Sequence, residues 1–138
     1  MAQAEGWMER RRCNCESASM TQTEATKIAL INQGYLCQYC LNVHHRVRHI
    51  FDDYIFGYHP AMAGGHHVFK RSRVDTPETI MALCAECHWK VENAKIGKAV
   101  IVALMSQISG VDLYLEYPQY CKFSEAEWQA AKTQLLNN

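Results

Sequence analysis

Long apolar runs are missing from this chain. No stretch reaches transmembrane length, and the nearest approach to one ends at Gly97 and Lys98. The first residues carry acids and arginines but no hydrophobic signal segment, so a cytoplasmic protein rather than an exported one is expected. Net charge is missing too: 14 basic residues face 14 acidic ones, with both signs spread along the chain. Strong non-specific binders of nucleic acid are usually basic overall, so any basic surface here has to be local. Arg10–Arg12, Arg46 with Arg48, and Lys70/Arg71/Arg73 are the candidates, each with a solvated face as its plainer reading. No internal repeat and no low-complexity tract is present.

What is present fits one domain with short extensions. The chain has 138 residues, 49% of them apolar and 20% charged, an ordinary balance for a soluble globular protein. A chain of this size buries a useful but not generous core, so a metal staple would matter to it. Residues 1–20 are polar and aperiodic and are expected to be disordered. Thr21-Gln-Thr-Glu24 has the form of a capping box, and Ala25, Ile28, Ala29 and Ile31 follow as a short helix closed by Gly34. Val47, Ile50, Phe51, Tyr54 and Ile55 recur at helical spacing and predict a short helix ending before Gly57. The segment HHVFKRSRV alternates as a strand, IMAL reads as a second extended segment, and a helix is expected to begin inside Cys84–Cys87. Residues 96–138 read as a helical extension that packs on the core. Ile96, Ala99, Val100, Ala103, Leu104 and Ile108 make a helix that stops at Gly110, VDLYLEYP reads as extended, and the capping box Ser124–Glu127 opens a last helix.

The seven cysteines are unevenly placed. Cys37/Cys40 and Cys84/Cys87 form two Cys-x-x-Cys pairs, while Cys13, Cys15 and Cys121 stand apart. Without a secretion signal, zinc ligation is the stronger reading of the pairs and a disulfide framework the weaker; the plain alternative is four reduced, buried thiols. Two such turns supply the four soft ligands of a tetrahedral Zn²⁺. The intervening loop adds only about 1 kcal/mol of closure entropy, against roughly 10–16 kcal/mol from zinc binding.

Every histidine lies between residues 44 and 88. His66, His67 and His88 are not needed by a filled four-cysteine site and are free to form a second centre. Neighbours on a strand point to different faces, so His66 and His67 suit two roles, one on a metal and one facing substrate. His44, His45 and His49 read as exposed helix histidines, His59 as a weak third-ligand candidate, Glu86 as exposed, and Trp89 and Trp128 as packing residues.

The pattern CQYC…GGHHVFKRSRVDTPETIMALCAECH resembles the HNH endonuclease family, in its variant with a four-cysteine structural zinc. The resemblance spans about residues 35–95. It implies an α+β fold with a ββα-metal (His-Me finger) core over 21–95, stapled by zinc on Cys37, Cys40, Cys84 and Cys87 and flanked by helices. It further implies a metal-dependent DNA endonuclease or nickase. His67 would be the general base, and His66 and His88 would hold a catalytic divalent cation such as Mg²⁺ or Mn²⁺. Lys70, Arg71 and Arg73 follow the doublet and could hold flanking phosphates, with surface salt-bridging as the alternative. Proteins similar to this family occur in phages and prophages near packaging genes, which makes phage packaging proteins possible partners by analogy alone. The chain departs from the family at Thr79, which stands where the motif has asparagine. A threonine lacks the amide's reach and second donor. The alternative is therefore a zinc-stabilised nucleic-acid-binding module with impaired catalysis.

Overall fold

The computed structural model describes residues 22–52, 65–69 and 74–137. Among them the protein is mixed: six α-helices, three short 3₁₀ turns and one two-stranded antiparallel sheet. The cap Thr21, the segment Arg10–Cys15, Tyr54, Ile55, His59 and the cluster Lys70/Arg71/Arg73 lie outside the described residues.

Helix α1 (Gln22–Asn32) buries Ala25, Ala29 and Leu30, and its two alanines let it lie close on Ile80 of the sheet. It ends in a Schellman arrangement, with Tyr35 N–H donating to Leu30 O and Gly34 N–H to Ile31 O. Gly34 has φ 66°, a left-handed conformation that glycine adopts without Cβ strain. One residue before it, Gln33 turns its amide inward. Its Nε2 donates to Ile80 O at 2.8 Å and its Oε1 accepts from Ala82 N–H at 2.7 Å.

Those two bonds give the sheet a side-chain neighbour on one edge. Strand β1 (Gly65–His67) pairs antiparallel with β2 (Ile80–Ala82) in the register Gly65↔Ala82, His66↔Met81 and His67↔Ile80. On its other edge β2 is capped by Gln33, so this buried three-residue strand is paired on both sides. Ile80, Met81 and Ala82 are all fully buried, which explains why IMAL carries no alternation. The expected long strand HHVFKRSRV is shorter here: the chain bends at Val68 and Phe69, which are both buried, after Val68 N–H has bonded Thr79 O at 2.9 Å.

The first cysteine pair opens α2 (Gln38–Asn42), and the second opens α3 (Ala85–Glu92). Between α2 and the 3₁₀ turn Ile50–Asp52 there is no α-helix, contrary to the periodicity of Val47, Ile50 and Phe51. Cys37 N–H bonds Arg48 O, Ile50 N–H bonds Tyr35 O, and Leu36 bridges His49, so the backbone there is committed to closing a loop around the cysteines. Val47 is 65% exposed instead of lying on an apolar stripe, and His44, His45 and His49 are exposed on this loop, not on a helix.

Helix α4 (Lys98–Ser109) is the core's axis. It buries Ala99 and Ile101 through Met105, and Gly110 closes it at φ 77°. The expected extended segment VDLYLEYP is instead α5 (Leu113–Glu116) and a 3₁₀ turn at Pro118–Tyr120. Asp112 caps α5 by accepting from Leu115 N–H, and Ser106 of α4 accepts from Leu113 N–H at 3.0 Å. Only Leu113 is fully buried, while Leu115 is 73% exposed; one inward anchor with a cap favours a helical turn over an alternating strand. Helix α6 (Glu125–Leu136) starts at the reciprocal Ser124–Glu127 capping box and lies on α4 through Trp128 and Ala131. Trp128 stacks on Tyr114 and Phe123, a packing role as expected. Trp89 differs: it is 57% exposed on α3. No helix among the described residues is long and apolar enough to cross a membrane.

Candidate metal centres

The four paired cysteines come together. Cys37, Cys40, Cys84 and Cys87 are all buried, and their sulfurs lie within 4.8 Å of one another. A tetrahedron with metal–sulfur bonds of about 2.3 Å has edges of about 3.8 Å. Cys40 Sγ is 3.9 Å from Cys84 Sγ and 3.7 Å from Cys87 Sγ, so the donor set and its spacing fit a structural metal such as zinc. Each pair forms the same turn. Cys37 and Cys84 precede a helix, and their sulfurs accept from Cys40 N–H and Cys87 N–H at 3.5 Å. Helix N-termini favour negative charge, so both turns aim partial positive charge at the sulfurs. Arg46 adds a full one, with Nη2 3.7 Å from Cys40 Sγ. Glu86, half-exposed, ties Arg48 at 3.1 Å, Lys90 at 3.3 Å and Arg46 at 3.8 Å.

Three of these thiols are displaced from the ordinary range, in opposite directions. The Cys37 thiol falls to about 5, chiefly because Cys87 S–H donates to it. Donating that bond, with burial, pushes Cys87 far up, and burial raises Cys84 to about 11. A divalent cation at the centre would favour the thiolate form of Cys84 and Cys87 as well.

A second cluster lies further along α3. His66 on β1 and His88 on α3 meet edge to face, with ring centroids 5.2 Å apart. Glu92, one turn beyond His88, brings Oε2 to 3.4 Å from His88 Nε2 and 3.8 Å from His66 Nδ1. Ligands at about 2.1 Å around a tetrahedral cation are about 3.4 Å apart. His66, His88 and Glu92 could therefore hold one divalent cation with little movement. Burial first, then the neighbouring His88, His67 and Lys98, lowers His66 to about 4. At neutral pH its ring is thus uncharged, the form that binds metal.

The sequence placed His66 and His67 on opposite sides of a strand. They do diverge, yet both line one cleft of ≈ 730 Å³, together with His88, Glu92, Gly97 and Lys98. His67 turns towards the loop before β2, with Nδ1 3.2 Å from Asp75 Oδ1 and both atoms shielded from water. The distance is that of an ion pair; the alignment falls short of a hydrogen bond. Thr79 does not reach the histidines. It is fully buried, its hydroxyl donating to Thr76 O at 3.0 Å and accepting from Thr76 N–H at 3.3 Å.

Two residues of this site were not singled out from the sequence. Glu92 had a legible signal, since a carboxylate four residues after a histidine shares its helical face. Asp75 had none, because only tertiary pairing of β1 with β2 brings it beside His67. Comparison with protein-family models, curated proteins and solved structures finds no match to this chain.

Proposed function

We propose that this protein is a metal-dependent nuclease of HNH type that hydrolyses phosphodiester bonds in DNA, as an endonuclease or nickase. The observation that carries the reading is the convergence of His66, His88 and Glu92 at one place in a cleft that His67 also lines. In this reading β1, β2 and α3 form a ββα-metal unit, and the cysteine cluster is its zinc staple. The staple ties the start of α3, and with it His88, to the first cysteine turn.

The chemistry follows from the residue types. His67 accepts a proton from water, which attacks phosphorus in line; an imidazole does this near neutral pH. The new P–O bond forms as the bond to the leaving 3′ oxygen breaks, and that oxygen takes a proton from solvent. A divalent cation on His66, His88 and Glu92 would supply charge stabilisation at the phosphate. Lys98 lines the cleft and offers a positive charge to a DNA phosphate. Lys70, Arg71 and Arg73 come three to six residues after His67 in the chain and would extend the same role to flanking phosphates.

Supercoiled plasmid incubated with the protein and Mg²⁺, Mn²⁺ or Ni²⁺ tests the reading. Nicking by the wild type is expected, falling by about 10²–10⁴-fold in His67→Ala. Absence of nicking with each cation, or equal nicking by His67→Ala, rejects it. DNA binding without cleavage would leave the binding-module alternative standing.

A further inference from the structure

We propose that Asp75 is the positioning residue for His67: its carboxylate holds the imidazole as the Nδ1–H tautomer and so presents Nε2 to the cleft. The functional meaning of this rests on the nuclease reading, but the contact itself does not.

A carboxylate accepts hydrogen bonds and donates none when ionised. Asp75 Oδ1 is 3.2 Å from His67 Nδ1. A negative oxygen this close to Nδ1 repels a bare lone pair there and favours the ring proton on that nitrogen, which leaves the lone pair on Nε2. Both atoms are shielded from water, so the contact acts in a medium that screens it weakly. The side chains are largely buried, at 14% exposure for His67 and 24% for Asp75.

Asp75 is also held in place. The next residue, Thr76, exchanges backbone bonds with the Thr79 hydroxyl on both its N–H and its C=O. Pro77 fixes φ at the first position of the 3₁₀ turn. Tyr117, from beyond α5, lies beside the Thr76 side chain and sets its ring at a tilt against Phe69, two residues after His67. The strand bearing His67 and the loop bearing Asp75 are therefore tied to each other from two directions. Thr79 braces the loop, and Asp75 faces the base.

The test reads the tautomer directly. Long-range ¹H–¹⁵N correlation spectra of the full-length, ¹⁵N-histidine-labelled protein near pH 8, with His67 assigned through His67→Gln, are expected to show a protonated Nδ1 and a bare Nε2. In Asp75→Asn, whose amide can donate to Nδ1, the Nε2–H form is expected to appear; in Asp75→Glu the wild-type tautomer is expected to persist. Circular dichroism and metal content are expected to match wild type in both variants. An Nε2–H tautomer in the wild type, or an unchanged tautomer in both Asp75→Asn and Asp75→Ala, overturns the proposal. If the wild type nicks DNA, Asp75→Asn is expected to lower kcat by about 10²-fold or more with KM for DNA within about twofold. An equal kcat would overturn the positioning role. A wild type that nicks nothing rejects the nuclease reading while the spectra still decide the contact.

Discussion

Glu92 and Thr79 show how much a single side chain carries in this molecule. Glu92 is 60% exposed, yet one of its oxygens faces both His66 and His88. Glu92→Gln removes the only anionic donor of that trio and is expected to weaken Mn²⁺ binding by at least tenfold, about 1.4 kcal/mol. Titration calorimetry on the zinc-loaded protein checks this, and unchanged affinity would remove Glu92 from the site. Thr79→Val keeps shape but strips the hydroxyl that serves Thr76 N–H and C=O. A loss of about 1–2 kcal/mol in denaturant unfolding is expected, the cost of leaving the part-buried Thr76 N–H without that acceptor, since Thr76 C=O keeps its bond from Thr79 N–H. His66 makes a prediction in pH. Its folded imidazole titrates at about 4 against an ordinary 6.5. Between those values the unfolded chain binds the proton and the folded chain does not, so stability rises with pH across the window. With the histidine site stripped of metal, stability is expected to fall as pH drops from 6.5 towards 4, by on the order of 3 kcal/mol. His66→Leu is expected to flatten that slope. A wild-type slope no steeper than the variant's would show that burial does not hold the ring neutral.

Among the elements, the pairing of β1 with β2 is the one on which the site depends, and it is only three residues long. Sheets this small are marginal alone. Helix α1 supports it by packing Ala25 and Ala29 on Ile80 and by inserting Gln33 at the free edge of β2. Gln33→Leu leaves Ile80 O and Ala82 N–H buried without that partner and is expected to cost about 2–4 kcal/mol. A shift in urea midpoint at unchanged m-value is the readout. Stability equal to wild type would mean that water replaces the amide. Which elements were legible follows from how local their causes are. Helices α4 and α6 and the start of α3 carry periodicity, caps or terminal glycines in the sequence, and they form where expected. The segments 44–52 and 111–120 were misread because their patterns are fixed by partners distant in the chain: Arg48 O by Cys37 N–H, and Leu113 N–H by Ser106 Oγ.

For the whole molecule, the decisive comparison is between the cysteine cluster and the stability it supports. A single domain is stable by about 5–15 kcal/mol, and a four-thiolate zinc site contributes roughly 10–16 kcal/mol. Stripping the metal is therefore expected to unfold at least the part built around α2, β2 and α3. One zinc per chain by native mass spectrometry, with loss of near-ultraviolet dichroism on chelation, is the expected result. A chelated protein with an unchanged melting temperature would show that the cluster is four reduced thiols. Helices α4 and α6 pack on each other, with Trp128 of α6 stacked on Tyr114 of α5 and on Phe123, and are expected to keep helical signal longest.

The sequence by itself determined the donor types, their pairing and their order. Cys-x-x-Cys turns, a His-His doublet and a histidine after the last cysteine are local patterns, and ligand chemistry depends on residue type and short spacing. It also determined the well-capped helices, whose ends are set within a few residues. Only the tertiary structure decided which donors meet. The convergence of His66 with His88 and Glu92, the approach of Asp75 to His67 and the use of Gln33 as a strand's neighbour all join residues brought together by packing. Such contacts depend on register and on the orientation of whole elements, which no short window of sequence contains.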